Sequence, residues 1–271
     1  MKRSTFQALV YQIIRLSPCL AFLLFGSFPT FTTQDRLTTL VSGLLILIVI
    51  LITWGMAEST VMLWYKAKVQ KLPENRGYVF VSILLAAGVL VLLQLFRARV
   101  EQPTFLIVLG SLSLRGMSRS GWEQNRRALA FGTSFAGAAL LGAVSFSLML
   151  DRIPWQGGLL ACAFGSMVAA VECAWFAGDT LVDSVAKWQT PLFRCALFLG
   201  PIAVGTLAFL SQLPLCFAAV YLVLPAAAKL AKVVTERGYV AAVDFKAAAG
   251  VYLLFVGIII ACRGYEHGWF L

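Results

Sequence analysis

Charge is missing from this chain over long intervals. No charged residue stands between Arg36 and Glu58, Arg76 and Arg97, Arg127 and Asp151, Arg194 and Lys229, or Lys246 and Arg263. Leu, Ile, Val, Ala and Phe fill most of these intervals. A helix needs about 20 apolar residues to cross the hydrocarbon core of a bilayer. Backbone in that core must satisfy its own hydrogen bonds, which helices do without a partner strand. Such intervals, repeated along 271 residues, predict a bundle of membrane-spanning helices. Composition agrees: 60% of residues are apolar and 13% charged, with a mean hydropathy of +0.86. A water-soluble globule of this length cannot hide so much apolar surface. The numbers exclude disorder and a soluble enzyme with one appended anchor.

The expected fold class is therefore all-α: a polytopic bundle of about nine spans, forming one integral-membrane domain over 1–271. Residues 4–15 read as an interfacial amphipathic helix, with Arg15 snorkelling to the surface. Spans are expected near 16–32, 38–64, 78–96, 104–114, 128–150, 155–178, 193–211, 214–232 and 247–262. The fourth has few apolar residues for a crossing. The basic loop Lys66–Gly77 and the polar segment Arg115–Arg127 connect spans in this scheme, as does the acidic stretch Asp179–Pro191.

Net charge is +10, from 22 Lys and Arg against 12 Asp and Glu. With the N-terminus in the cytoplasm and alternating spans, all 22 basic residues but Arg36, Arg97, Arg99, Arg152 and Arg263 fall on the cytoplasmic side. Cytoplasmic loops collect Lys and Arg, so the balance predicts N-in, C-out. The charge is then an orientation signal facing anionic lipid, and nucleic acid is not an expected partner. The expected location is the cytoplasmic (inner) membrane, with the polar loops facing the cytoplasm. No cleavable signal peptide is evident at the start. The six cysteines form no CxxC pair and read as small buried hydrophobes. The single His267 excludes chemistry that needs several imidazoles.

Ionisable groups within apolar spans are costly and mark function by default. Glu58 and Glu172 are the intramembrane carboxylates. If the sixth helix continues past the membrane, Glu172, Asp179, Asp183 and Lys187 share one face. Two carboxylates at i and i+4 can bracket Mg²⁺, with substrate phosphate completing its shell. The same spacing also describes a solvated helix end with an Asp183–Lys187 pair. Arg115, Arg119, Arg126 and Arg127 lie on the same expected side. Guanidinium forks suit phosphate, and they equally suit lipid headgroups. Together the acidic and basic groups point to a diphosphate.

The stretch Asp179-TLV-Asp183-SVA-Lys187-WQ-Thr190 is similar to the second acidic motif, DxxxDxxxGxxT, of the UbiA superfamily of intramembrane aromatic prenyltransferases. Both Asp residues and the Thr keep the spacing, and Lys187 replaces Gly. Gly132, Phe135, Gly137 and Gly142 resemble that superfamily's fifth helix. The first motif, NDxxDxxxD, is degenerate: Ser59 and Thr60 stand for Asn-Asp, and Leu63 and Ala67 for the next two Asp. Leu72-Pro73-Glu74-Asn75-Arg76 resembles the segment that follows it.

The resemblance implies a transferase of the EC 2.5.1 type, which ionises a prenyl diphosphate and passes the prenyl group to a lipophilic or aromatic acceptor. It implies Asp179 and Asp183 as catalytic residues and ligands of one Mg²⁺. Arg119, Arg126, Arg127, Lys187, Lys66, Lys68 and Arg76 are then expected to bind substrate. Trp54, Trp64, Tyr65, Trp122, Trp175, Phe176 and Trp188 could wall the site, or form an interfacial aromatic belt. Two other readings stand beside it. One is an inactive UbiA-like protein that binds an isoprenoid, quinone or pigment in a membrane complex. The other is a small transporter using Glu58 and Glu172. No inverted repeat is obvious, which disfavours the commoner transporter designs.

Overall fold

The structure, a computed structural model, describes residues 6, 7, 9–15, 48, 52, 53, 55–57, 59, 60, 63, 64, 75–97, 102–123, 126–150, 155–177 and 183–266. Every regular element among them is helical. After a helical stretch over 9–15 come α1 (Asn75–Arg97), α2 (Gln102–Glu123), α3 (Arg127–Leu150), α4 (Trp155–Phe176) and α5 (Asp183–Phe209). A 3₁₀ helix (Leu215–Val223) then runs directly into α6 (Leu224–Arg237), and α7 (Asp244–Glu266) ends the described chain.

Five of these segments are long and apolar enough to cross a membrane: Arg127–Val144, Trp155–Phe176, Gln189–Phe209, Leu215–Arg237 and Asp244–Tyr265. Val79–Gln94 is a shorter apolar helix at the place of the expected third span. The expected first span lies outside the described residues, as does most of the second.

Several expected boundaries move. The apolar stretch 104–114 is not an isolated short span, because α2 continues as helix through Arg115 and Arg119 to Glu123. The polar residues are the second half of a helix and not a connecting loop. The sixth helix does not run on to Lys187. It stops at Phe176, Ala177 is non-helical, and a new helix starts at Asp183. Glu172 and Asp183 therefore belong to different helices, and no single helical face carries both. The expected acidic loop to Pro191 is helical from Asp183 onward.

Sequence explains the packing order. α4 is apolar all round and rich in Ala and Gly, the pattern of a helix with neighbours on every side. Leu160, Phe164, Met167, Val168 and Val171 are buried on it. Small residues let neighbouring backbones come close. A side chain at Gly165 would lie 2.7 Å from the Phe135 carbonyl oxygen and 3.0 Å from Ala139 Cβ, so α3 rests directly on this glycine. A side chain at Gly200 of α5 would lie 2.7 Å from Met167 Cγ. Around this core, Phe80, Leu90, Leu106, Ile202, Leu222 and Leu254 are exposed. Large apolar side chains in that position fit contact with lipid.

Candidate functional site

One end of the bundle gathers the polar side chains. α2, α4 and α6 finish there, and α3, α5 and α7 begin there. Cross-helix bonds tie these ends together: Arg115 to Ser134, Arg127 to Gln189, and Thr190 to the Gly238 carbonyl. Helix period explains the α2–α3 contact. Ser111, Arg115 and Ser118 repeat at i, i+4 and i+7, which places them on one face. That face meets Gly137, Ser134 and Ala130 of the antiparallel α3. Ser111 Oγ donates to the Gly137 carbonyl at 3.0 Å, and Ser118 Oγ to that of Ala130 at 3.1 Å. Gly137 also clears a path for Arg115: a Cβ there would lie 2.9 Å from Arg115 Cδ.

Arg115 crosses this face to reach Glu172, which is 2% exposed. The guanidinium donates to Glu172 Oε1 through Nη2 and to Ser134 Oγ at 3.3 Å through Nη1. Ser134 Oγ donates to Glu172 Oε2. The helical stretch over 9–15 supplies the remaining partners. Arg15 Nε lies 3.4 Å from Oε1, and Tyr11 OH donates to the same oxygen at 3.4 Å. One carboxylate is thus shared by two guanidiniums and two hydroxyls from three other segments of the chain. A lone buried charge costs several kcal/mol, so such a group persists only where its partners surround it.

An aromatic cluster flanks the carboxylate. Tyr11 stacks on Trp175 at 4.3 Å, with 5° between the rings. Phe245 of α7 meets Trp175 edge-on at 4.8 Å. Phe176 stands nearly perpendicular to Tyr11 at 6.1 Å. Arg15 lies over the Tyr11 ring at 5.0 Å, and Arg119 over the Phe176 ring at 4.6 Å.

These contacts correct two expectations. Arg15 does not snorkel to the surface; it is 3% exposed and ion-paired inside the bundle. Pairing with Glu172 holds it there. Its segment is not a purely interfacial helix either, because Tyr11 and Ile14 are buried while Phe6 and Leu9 stay exposed.

The remaining site residues divide. Arg119 sits one turn beyond Arg115, on the side where α4 ends. Arg127 Nη1 donates to Gln189 Oε1 at 2.9 Å, and Gln189 Nε2 donates to Cys173 Sγ at 3.3 Å. Thr190, the Thr of the Asp-rich stretch, gives its hydroxyl to the Gly238 carbonyl at 3.1 Å. Arg126 is exposed and lines a separate groove of about 690 Å³ with Ser113, Met117 and Leu129. Asp179, Lys66, Lys68 and Glu58 lie outside the described residues, as do the side chains of Asp183, Lys187 and Arg76.

Among the described residues, no group of three or more His, Cys, Asp or Glu could hold a metal ion. Glu172 does not suit a metal, because both its oxygens are already engaged by cations and hydroxyls. Sequence reasoning missed Tyr11, Arg15, Ser134 and Gln189 as members of this network. The signal for Arg15 was present, a charge at the mouth of an apolar run, but nothing local names its partner.

Comparison of the chain with known protein families, with curated proteins and with solved structures finds no match.

Proposed function

We propose that this chain is a UbiA-like prenyltransferase with about nine spans, oriented N-in and C-out in the inner membrane, with the polar end of the bundle facing the cytoplasm. The observation that carries the reading is that Arg119 lies over Phe176, the last residue of α4, while Arg127 donates to Gln189 within the first two turns of α5, on either side of Asp179 in the sequence. Basic groups and a carboxylate pair are what diphosphate departure needs.

In this reading Asp179 and Asp183 hold one Mg²⁺, which neutralises charge on the leaving diphosphate when bound. Arg119, Arg127 and Lys187 bind the diphosphate oxygens, together with Lys66, Lys68 and Arg76. The allylic C–O bond breaks and its electron pair leaves with the diphosphate. A lipophilic or aromatic acceptor then bonds to the allylic carbon and loses a proton. Arg115 and Arg15 are positioning residues, since Glu172 already engages them. Surrounding apolar helices exclude water from the cation.

A second reading is favoured by one observation. Ser59 Oγ donates to the Gly55 carbonyl at 2.8 Å and Thr60 Oγ1 to that of Met56 at 2.9 Å. Those hydroxyls stand where the family carries Asn-Asp, and they are spent on their own helix. A protein that holds an isoprenoid without turning it over fits that arrangement. One assay separates the two. The full chain in liposomes is given an allylic prenyl diphosphate and Mg²⁺, and diphosphate release is followed. Release that falls about a hundredfold or more in Asp179→Asn and in Asp183→Asn supports the enzyme. Prenyl diphosphate bound without release supports the holder, and release unchanged in both variants refutes the assigned roles.

A further inference from the structure

α6 and α7 leave a groove between them, of about 550 Å³, that plays no part in the site above. α6 contributes Lys229, Val233 and Arg237 to its lining, and α7 contributes Asp244, Gly250 and Leu254. Val233 and Leu254 are exposed, so the apolar wall opens outward, where a spanning helix pair meets lipid. Gly250 keeps the floor low: a Cβ there would meet no atom within 4 Å.

The charge in the groove is unbalanced. Asp244 is its one acidic lining residue, and its carboxylate accepts from Arg237 Nη1 and from the Ala241 backbone N–H, each at 2.8 Å. Lys229 is exposed and has no carboxylate partner among the described residues. Nearby, Lys232 pairs loosely with Glu236 at 3.8 Å, and Lys246 is exposed. From Lys229 to Lys246 the chain carries four basic residues and two acidic ones.

We infer that this groove binds an anionic phospholipid, one acyl chain lying against Val233, Gly250 and Leu254 and the phosphate taken by Lys229 with Arg237. The apolar wall favours a lipid over a soluble anion. The surplus positive charge favours an anionic headgroup over a zwitterionic one, as in basic pockets between helices at a cytoplasmic membrane face. A long lysine stem can run along the wall while its ammonium reaches the headgroup.

The full-length chain, reconstituted with mixed phosphatidylglycerol and phosphatidylcholine and then returned to detergent, reports the site through the lipid it retains in native mass spectrometry. Native protein is expected to retain phosphatidylglycerol over phosphatidylcholine by about fivefold, the contribution of one basic group near an anionic surface. Gly250→Leu puts a side chain into the groove from a position whose Cβ meets no atom within 4 Å, and is expected to abolish the preference. Gly257→Leu, at another position on α7 with open space, is expected to preserve it. Lys229→Gln removes charge without adding bulk and is expected to lower the preference even if Gly250→Leu folds poorly. Equal retention of the two lipids overturns the inference, as does an unchanged preference in Gly250→Leu or in Lys229→Gln. Displacement of the lipid by inorganic phosphate alone overturns it in favour of a soluble-anion site.

Discussion

Glu172 illustrates how one residue can organise a membrane protein. It is 2% exposed, and two arginines, a serine and a tyrosine converge on it. The partners are not equivalent. Removing the carboxylate strands two guanidiniums, whereas removing Arg115 leaves Arg15 still neutralising it. Glu172→Leu is therefore expected to lower stability by about 3–5 kcal/mol, the range for breaking a buried ion pair from one side. Arg115→Met is expected to cost clearly less. Thermal unfolding of the two variants in the same detergent checks the order, and a larger loss in Arg115→Met would contradict it. The residue type was legible in the sequence, because a carboxylate amid apolar residues stands out. Its role was not. Tyr11 lies 161 positions from Glu172, and no local period or spacing connects them.

At the scale of the helices, legibility followed apolar content. The expected spans at 128–150 and 155–178 match α3 and α4 closely, since both are long and apolar, with Glu172 the one charge inside α4. The misreadings fell where polar residues continue a helix. Arg115 and Arg119 look like the start of a loop in sequence, but their partners lie across the bundle, so the backbone stays helical. The close contact of α3 with α4 depends on a glycine that composition alone did not single out. Gly165→Val is expected to force these helices apart, because the opposing atoms are a backbone carbonyl and a Cβ, neither of which can swing aside. The expected cost is about 1–3 kcal/mol or more, measured as a fall in unfolding temperature. At the end of α6, Gly238 adopts φ 82°, and its N–H bonds the Val234 carbonyl at 2.9 Å. Gly238→Ala is expected to cost about 1 kcal/mol there, since other L residues resist the left-handed region.

Considered as a whole molecule, the bundle is polarised. Arg15, Arg115, Arg119, Arg126, Arg127 and Arg237 sit at one end, while Arg97 and Arg263 close helices at the other. The proposed orientation puts the basic end in the cytoplasm. Cysteine placed at exposed Ser211, in the turn after α5, should then react with a membrane-impermeant maleimide in intact cells. Cysteine at Tyr239, beside Gly238, should react only after the membrane is opened. Reversed labelling would invert the topology. Charge balance along the sequence carried this prediction, but it could not say which arginines turn inward, since that depends on contacts between distant segments.

The bond between the N-terminal stretch and Glu172 also bears on how the protein is made. Ribosomes add roughly 5–20 residues per second. Tyr11 and Arg15 therefore emerge on the order of ten seconds before the carboxylate they will hold. Until α4 has entered the bilayer, nothing in the growing chain offers Arg15 this partner. A segment made well before α4 thus waits for its seat, and its docking records that the central helix has arrived.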